Sequence, residues 1–205
     1  MPERKRKAIV LSVTGGIACG KSEVGRILGE QGFAVCDSDR VAHDLMKKGT
    51  PVYRQVVDHF GERILSDTGE ISRSALGTIV FEHPSERETL NQLVHPAVRD
   101  YLAEWIVSQR QGEQDAAVLI PLLFESGMET LDWNAVLCVS SSTERVRRRL
   151  KNRGLDPDEA EVRIRSQMPL AEKEQKADLM VPNSGTLEEL EQATRKAVET
   201  VRAER

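Results

Sequence analysis

Residues 8–22 read AIVLSVTGGIACGKS: a short aliphatic run, then three glycines, a lysine and a serine. The aliphatic part, residues 8–13, predicts a buried strand. Residues 22–31 put Val24, Ile27 and Leu28 on one helical face. Between the two, Gly15-x-x-x-x-Gly20-Lys21-Ser22 has the phosphate-loop spacing G-x-x-x-x-G-K-[ST]. Each position has a physical reason. Glycines let the backbone turn its N–H groups toward phosphate oxygens, and the helix that follows adds the positive end of its dipole. Lys21 suits the β- and γ-phosphates, and Ser22 suits the magnesium ion that bridges them. The spacing alone arises by chance, but a strand before it and a helix after it make chance a poor account.

Working outward, short strands are predicted at residues 33–36, 117–124, 135–139 and 179–181, with helices between them. Five strands alternating with helices argue for an α/β fold built on a central parallel sheet. The segment between the second and third strands is helical in pattern and too long for a simple crossover. It predicts an inserted, substrate-facing subdomain, with helix breaks at His83-Pro84 and His95-Pro96. Charged helices around residues 143–175 predict a second, smaller insertion. The chain of 205 residues suits one domain with these insertions. Their bounds are a core at about 8–40, 115–142 and 177–205, an insertion at about 41–113 and a lid at about 143–175.

Composition narrows the function. Aromatics are only 4% of residues and the formal net charge is −4, which argues against a nucleic-acid partner. The longest apolar run, residues 116–124, contains a proline and is too short for a membrane span, and the charged start shows no signal-peptide pattern. Cys19, Cys36 and Cys138 lack zinc-ligand spacing and are expected as reduced thiols of a cytoplasmic protein. Cys19 sits inside the loop, where Lys21 and a helix end would lower its pKa; a small spacer is the plainer reading.

Candidate chemistry falls at strand ends. Asp37 and Asp39 follow the second strand, at the edge where ligands bind in open parallel sheets. A carboxylate there can orient and deprotonate a hydroxyl or hold magnesium through water, and one of the two can be a helix cap. Glu125 ends the predicted third strand, on the same edge, and is either a contact for a magnesium-bound water or a substrate group or an acid at an exposed loop start. Arg145, Arg147, Arg148, Arg149 and Arg153 crowd one helix, with Arg163 and Arg165 on the next. Most belong to a solvated face, and one or two can close over a transferring phosphoryl group. His95, with Arg99 a helical turn on, is either a helix-boundary residue or a substrate contact.

These residues together resemble the dephospho-CoA kinase family. The match is carried by TGGIACGKS at 14–22, CDSDRVAHDL at 36–45, LVHPAVR at 93–99, IPLLFE at 120–125, RLKNR at 149–153, RIRSQ at 163–167 and ADLMVPNSG at 177–185, in family order. The resemblance implies a P-loop kinase fold with a five-stranded parallel sheet, a helical CoA-binding insertion and a helical lid. It implies an ATP-dependent phosphotransferase acting on the ribose 3'-hydroxyl of dephospho-CoA, with Mg2+ required. It further implies catalytic roles for Asp39, Lys21 and Arg149. ATP contacts would come from Gly15, Gly16, Ile17, Ala18, Cys19, Gly20, Lys21, Ser22, Glu23, Arg149 and Asn183. Acceptor contacts would come from Asp37, Asp39, His95, Arg99, Leu122 and Glu125. Ser22 would hold magnesium, with Asp39 or Glu125 through water. The expected partners are small molecules, without membrane or nucleic acid, and the expected state is a monomer or weak homo-oligomer. The competing readings are a kinase for another small hydroxyl or nucleoside monophosphate, and a nucleotide-gated binding protein. Against the second, the chain lacks an Asn/Thr-Lys-x-Asp guanine-reading motif.

Overall fold

Six consecutive buried residues, Val10–Gly15, form strand β1 in the computed structural model, which describes residues 7–204. Residues 1–6, part of the charged start read above, and residue 205 lie outside the described residues. Four more strands join β1: β2 (Ala34–Asp37), β3 (Ala116–Leu119), β4 (Ala135–Ser140) and β5 (Leu179–Pro182). They form one sheet in the order β2-β3-β1-β4-β5, and every pairing is parallel. This is the α/β fold expected from the strand and helix alternation. Because all five strands run the same way, Gly15, Asp37, Leu119, Ser140 and Pro182 end at one edge.

Two compact units make up the chain. The sheet unit holds residues up to 37 and from 105 onward, and the helical unit spans residues 38–104. In the sheet unit, helix α1 (Lys21–Glu30) buries Val24, Ile27 and Leu28 against Leu11 and Val13 of β1 and Leu137 of β4. Helix α9 (Leu187–Ala203) adds Leu190, Val198 and Val201 to the same core. Its N-terminus has a capping box: Glu189 N donates to Thr186 Oγ1 at 3.3 Å, and Thr186 N to Glu189 Oε2 at 2.7 Å. Between β4 and β5 come α6 (Thr143–Asn152), α7 (Pro157–Arg165) and α8 (Leu170–Lys176). The Asp156 side chain caps α7, and Arg147 of α6 pairs with Glu161 of α7 at 2.7 Å.

The helical unit contains α2 (Ser38–Leu45), α3 (Pro51–Phe60), α4 (Arg73–Glu82) and the greater part of α5 (Pro84–Gln111). Thr50 caps α3, and Val41, Val52, Val56, Phe60, Ile64, Leu76, Val94, Val98 and Leu102 are buried apolar residues of the unit. Among the described residues, no helix is long and apolar enough to cross a membrane.

Two expectations need correction. The third strand stops at Leu119, and residues 121–127 are turns. Pro121 has no N–H to give to a ladder, so the apolar run LLF continues as turn and not as strand. The break read at His95-Pro96 does not occur, because α5 runs unbroken through Pro96. An interior proline removes the N–H that would bond the carbonyl four residues back and its ring crowds that carbonyl, at about 3 kcal/mol, yet α5 continues through it. The break at His83-Pro84 is present, between α4 and α5.

Leu137 is fully buried at the centre of β4, facing α1 and α9. Leu137→Ala should lower stability by about 2–5 kcal/mol, read from the shift in urea midpoint.

Candidate active site

The loop that links β1 to α1 is shaped by contacts from distant parts of the chain. Gly15 has φ 142° and Gly20 φ 107°. A Cβ on Gly15 would lie 2.2 Å from the Val139 carbonyl oxygen, and one on Gly20 would lie 2.1 Å from Asn183 Nδ2. At both positions glycine answers to conformation and to space together. Ala18 also takes a left-handed φ, 55°.

The loop's carbonyls are held from outside. Arg149 Nη1 donates to Ala18 O at 3.0 Å and to Cys19 O at 3.1 Å. Asn183 Nδ2 donates to Cys19 O at 2.7 Å, and Arg149 Nη2 to Asn183 Oδ1 at 3.2 Å. Lys21 Nζ donates to Gly15 O and Gly16 O, both at 2.9 Å. A trans peptide points its carbonyl and the next N–H in opposite directions. Holding the carbonyls of residues 15, 16 and 19 therefore turns the amides of Gly16, Ile17 and Gly20 the other way. The first amides of α1 have no helical acceptor and add to the same array. Such a concave set of donors binds phosphate.

Arg149 thus sits on α6 as a brace for the loop. Burial pushes its guanidinium pKa down, and the neighbouring Arg145, Arg148 and Arg153 push the same way. The other arginines have separate tasks: Arg145 donates to Gly185 O at 2.7 Å and Arg147 pairs with Glu161. Arg163 and Arg165 are exposed on α7. Asn183 is buried and its backbone N–H bonds Ser140 O at 2.7 Å, which fixes it at the end of the sheet. Ser22 is exposed on the first turn of α1. Glu23 pairs with Arg26 at 2.7 Å, so its charge is matched on its own helix.

Cys19 is buried, and burial raises its thiol pKa against the opposing pull of Lys21. The spacer reading of Cys19 therefore holds over the activated one. Burial takes Cys36 up to about 11 and Cys138 up to about 12. All three are free cysteines.

The segment after β3 carries Leu122, half-buried, and Glu125. Glu125 Oε1 accepts from Lys173 Nζ at 2.8 Å and from the Met168 N–H at 2.9 Å. That leaves Oε2 as the oxygen for any water or substrate. Lys173 was not singled out from the sequence. It stands in the charged run AEKEQK, where nothing distinguishes it from a solvated lysine.

Asp37 ends β2 at the loop-bearing edge, and Asp39 follows in the first turn of α2; both are exposed. Within the helical unit Asp39 lines a cavity of about 660 Å³ together with Arg40, His43, Lys47, Ile71 and Arg73. The four basic residues were also missed. For Arg40, His43 and Lys47 the 40, 43, 47 spacing, which puts them on one side of α2 and the turn beyond it, was the available signal; Arg73, on α4, had none. His95 and Arg99 lie a turn apart on α5, each half-buried. Burial pulls the His95 pKa down, against the pull of Glu88, so the ring is neutral at neutral pH.

Comparison with known proteins agrees with this geometry. A model of the dephospho-CoA kinase family matches residues 9–189. A protein named dephospho-CoA kinase from Carboxydothermus hydrogenoformans is 41% identical over 193 residues, covering 94% of this chain and 92% of its own. A solved structure from Thermus thermophilus has a TM-score of 0.78 at 33% identity, covering 95% of this chain and 98% of its own. A solved dephospho-CoA kinase from Campylobacter jejuni has a TM-score of 0.69 at 27% identity, covering 95% and 97%.

A thiolate is the reactive form, and a raised pKa keeps the thiol protonated at lower pH. In native protein at pH 7.5, Cys19 and Cys138 should resist iodoacetamide, and both should react once denaturant unfolds the sheet. Mass spectrometry of the labelled peptides checks this. Rapid native labelling of Cys19 would show the loop to be open.

Proposed function

The chain belongs to the dephospho-CoA kinase family, and on that premise we propose that it transfers the γ-phosphate of ATP to the ribose 3'-hydroxyl of dephospho-CoA. The products are coenzyme A and ADP. The observation that carries the proposal is the braced loop of residues 15–22 at the sheet edge where β2 ends in Asp37.

The loop amides and Lys21 bind the ATP phosphates. Lys21 exchanges its present carbonyl partners for phosphate oxygens, which are the stronger acceptors. Asp39 orients the 3'-hydroxyl and accepts its proton as the oxygen attacks phosphorus. Asp37, His95, Arg99 and Leu122 hold the acceptor, and neutral His95 is suited to donate or accept a hydrogen bond. Arg149 keeps Ala18 and Cys19 fixed and adds positive potential at the phosphates. The residues present also fit magnesium. Ser22 places an exposed hydroxyl on the first turn of α1, and a hard oxygen donor is what the ion takes. Held there, magnesium would supply positive charge against the negative charge of the phosphates.

In this reading residues 41–113 carry the acceptor and residues 143–175 form a lid that excludes water, the competing acceptor. The separate helical unit of residues 38–104 supports the first part. The enzyme is cytoplasmic, a monomer or weak homo-oligomer, and works on two small molecules without membrane or nucleic acid.

Incubation with ATP, magnesium and dephospho-CoA should yield coenzyme A by mass spectrometry, well above acceptor-free ATP hydrolysis. ADP without coenzyme A would overturn the acceptor assignment and turn attention to other hydroxyl substrates. Asp39→Asn should lower kcat by about 10²- to 10⁴-fold with ATP affinity nearly unchanged. Wild-type turnover from that variant would remove Asp39 as the base.

A further inference from the structure

Among the described residues, Lys173 is the charged side chain with no exposed surface at all. A buried ammonium survives only with good partners. Here Nζ donates to Glu125 Oε1 at 2.8 Å and to the Pro121 carbonyl at 2.7 Å. Glu125 Oε1 in turn accepts the Met168 N–H at 2.9 Å. The two segments joined in this way are far apart in sequence. One is the turn after β3, residues 121–127. The other runs from the end of α7 into α8.

Helix α8 also reaches the phosphate loop. It packs on β1 and β4, and a Cβ added to Gly16 would sit 3.8 Å from Leu170 Cδ1. Leu170 and Lys173 are one turn apart on α8. Anything that fixes Lys173 therefore fixes Leu170 against the loop.

We infer that the Lys173–Glu125 pair is a positioning device for phosphoryl transfer. It seats α8, and through Leu170 the phosphate loop, on the turn that follows β3. Glu125 acts through Lys173 and does not ligate the metal or its water. This deepens the proposed kinase reading and rests on it. The pair has a physical signature: removing Glu125 strands the buried ammonium, whereas removing Lys173 as well strands no buried charge, because Glu125 is partly exposed. A lost surface contact has no such signature.

The test compares wild type, Glu125→Gln, Lys173→Met and the double variant, each well below its melting temperature. Four quantities are measured: kcat/KM for ATP in coenzyme A formation, acceptor-free ATP hydrolysis, the magnesium concentration for half-maximal rate, and Tm. Each single variant should lose about tenfold to a hundredfold in kcat/KM, as misplacement of reacting groups does. The double variant should lose about tenfold as well, but no more than the worse single, and the magnesium half-point should stay within about twofold.

Losses that multiply in the double variant would overturn the inference. So would a tenfold shift of the magnesium half-point in Glu125→Gln alone, or wild-type kcat/KM in all variants with only Tm lowered. If a single variant does not fold, the double decides. Reduced kcat/KM at an unchanged magnesium half-point supports the pair, and wild-type kcat/KM refutes it. If wild type makes no coenzyme A, the acceptor reading fails separately and the hydrolysis rates carry the same comparison.

Discussion

Four carbonyl oxygens, those of residues 15, 16, 18 and 19, are where the sheet unit converges. Lys21 takes the first two, and Arg149 the last two, with Asn183 sharing Cys19. Peptide planarity converts this into chemistry, because a held carbonyl fixes the direction of the next amide. The loop's affinity for phosphate is thus set by groups that need not touch phosphate. Arg149 comes from α6, Asn183 from the end of β5, and both rest on Ser141 at the end of β4. The parallel sheet matters because it brings these strand ends to one edge.

Arg149 and Lys173 are both drawn out of water near this edge, and they are treated differently. Arg149 is half-buried and spends its donors on neutral carbonyls, amide oxygen and a hydroxyl. A guanidinium tolerates this because it is diffuse and weakly hydrated. Lys173 is wholly buried and has a carboxylate beside it. An ammonium is compact and strongly hydrated, so its complete burial is offset by an opposite charge beside it.

The sequence made the fold legible because its signals were local: an aliphatic run before a glycine loop, and apolar residues at helical spacing in α1. The loop, and the position of Asp39 just after the second strand, were legible for the same reason. What was not legible depended on distant partners. Lys173 looks like any lysine in a charged run, and only Glu125, far along the chain, marks it out. Arg149 was expected near the phosphates through resemblance, but its bonds to the carbonyls of Ala18 and Cys19 have no sequence signature. The apolar residues after Pro121 mimicked a strand because hydrophobicity reports burial, and buried turns share it. Pro96 was read as a stop because isolated propensity says so, while α5 passes through it.

The crowding at Gly15 and Gly20 bears on how portable the phosphate loop is. One glycine is required by the Val139 carbonyl and the other by the Asn183 side chain. Those constraints lie on β4 and just after β5, not in the nine residues that spell the motif. Transplanted to another strand and helix, TGGIACGKS would keep its spelling and lose its shape. The unit of inheritance is the motif together with the two strand ends that press on it. A change at Val139 or Asn183 is, in effect, a change to the loop.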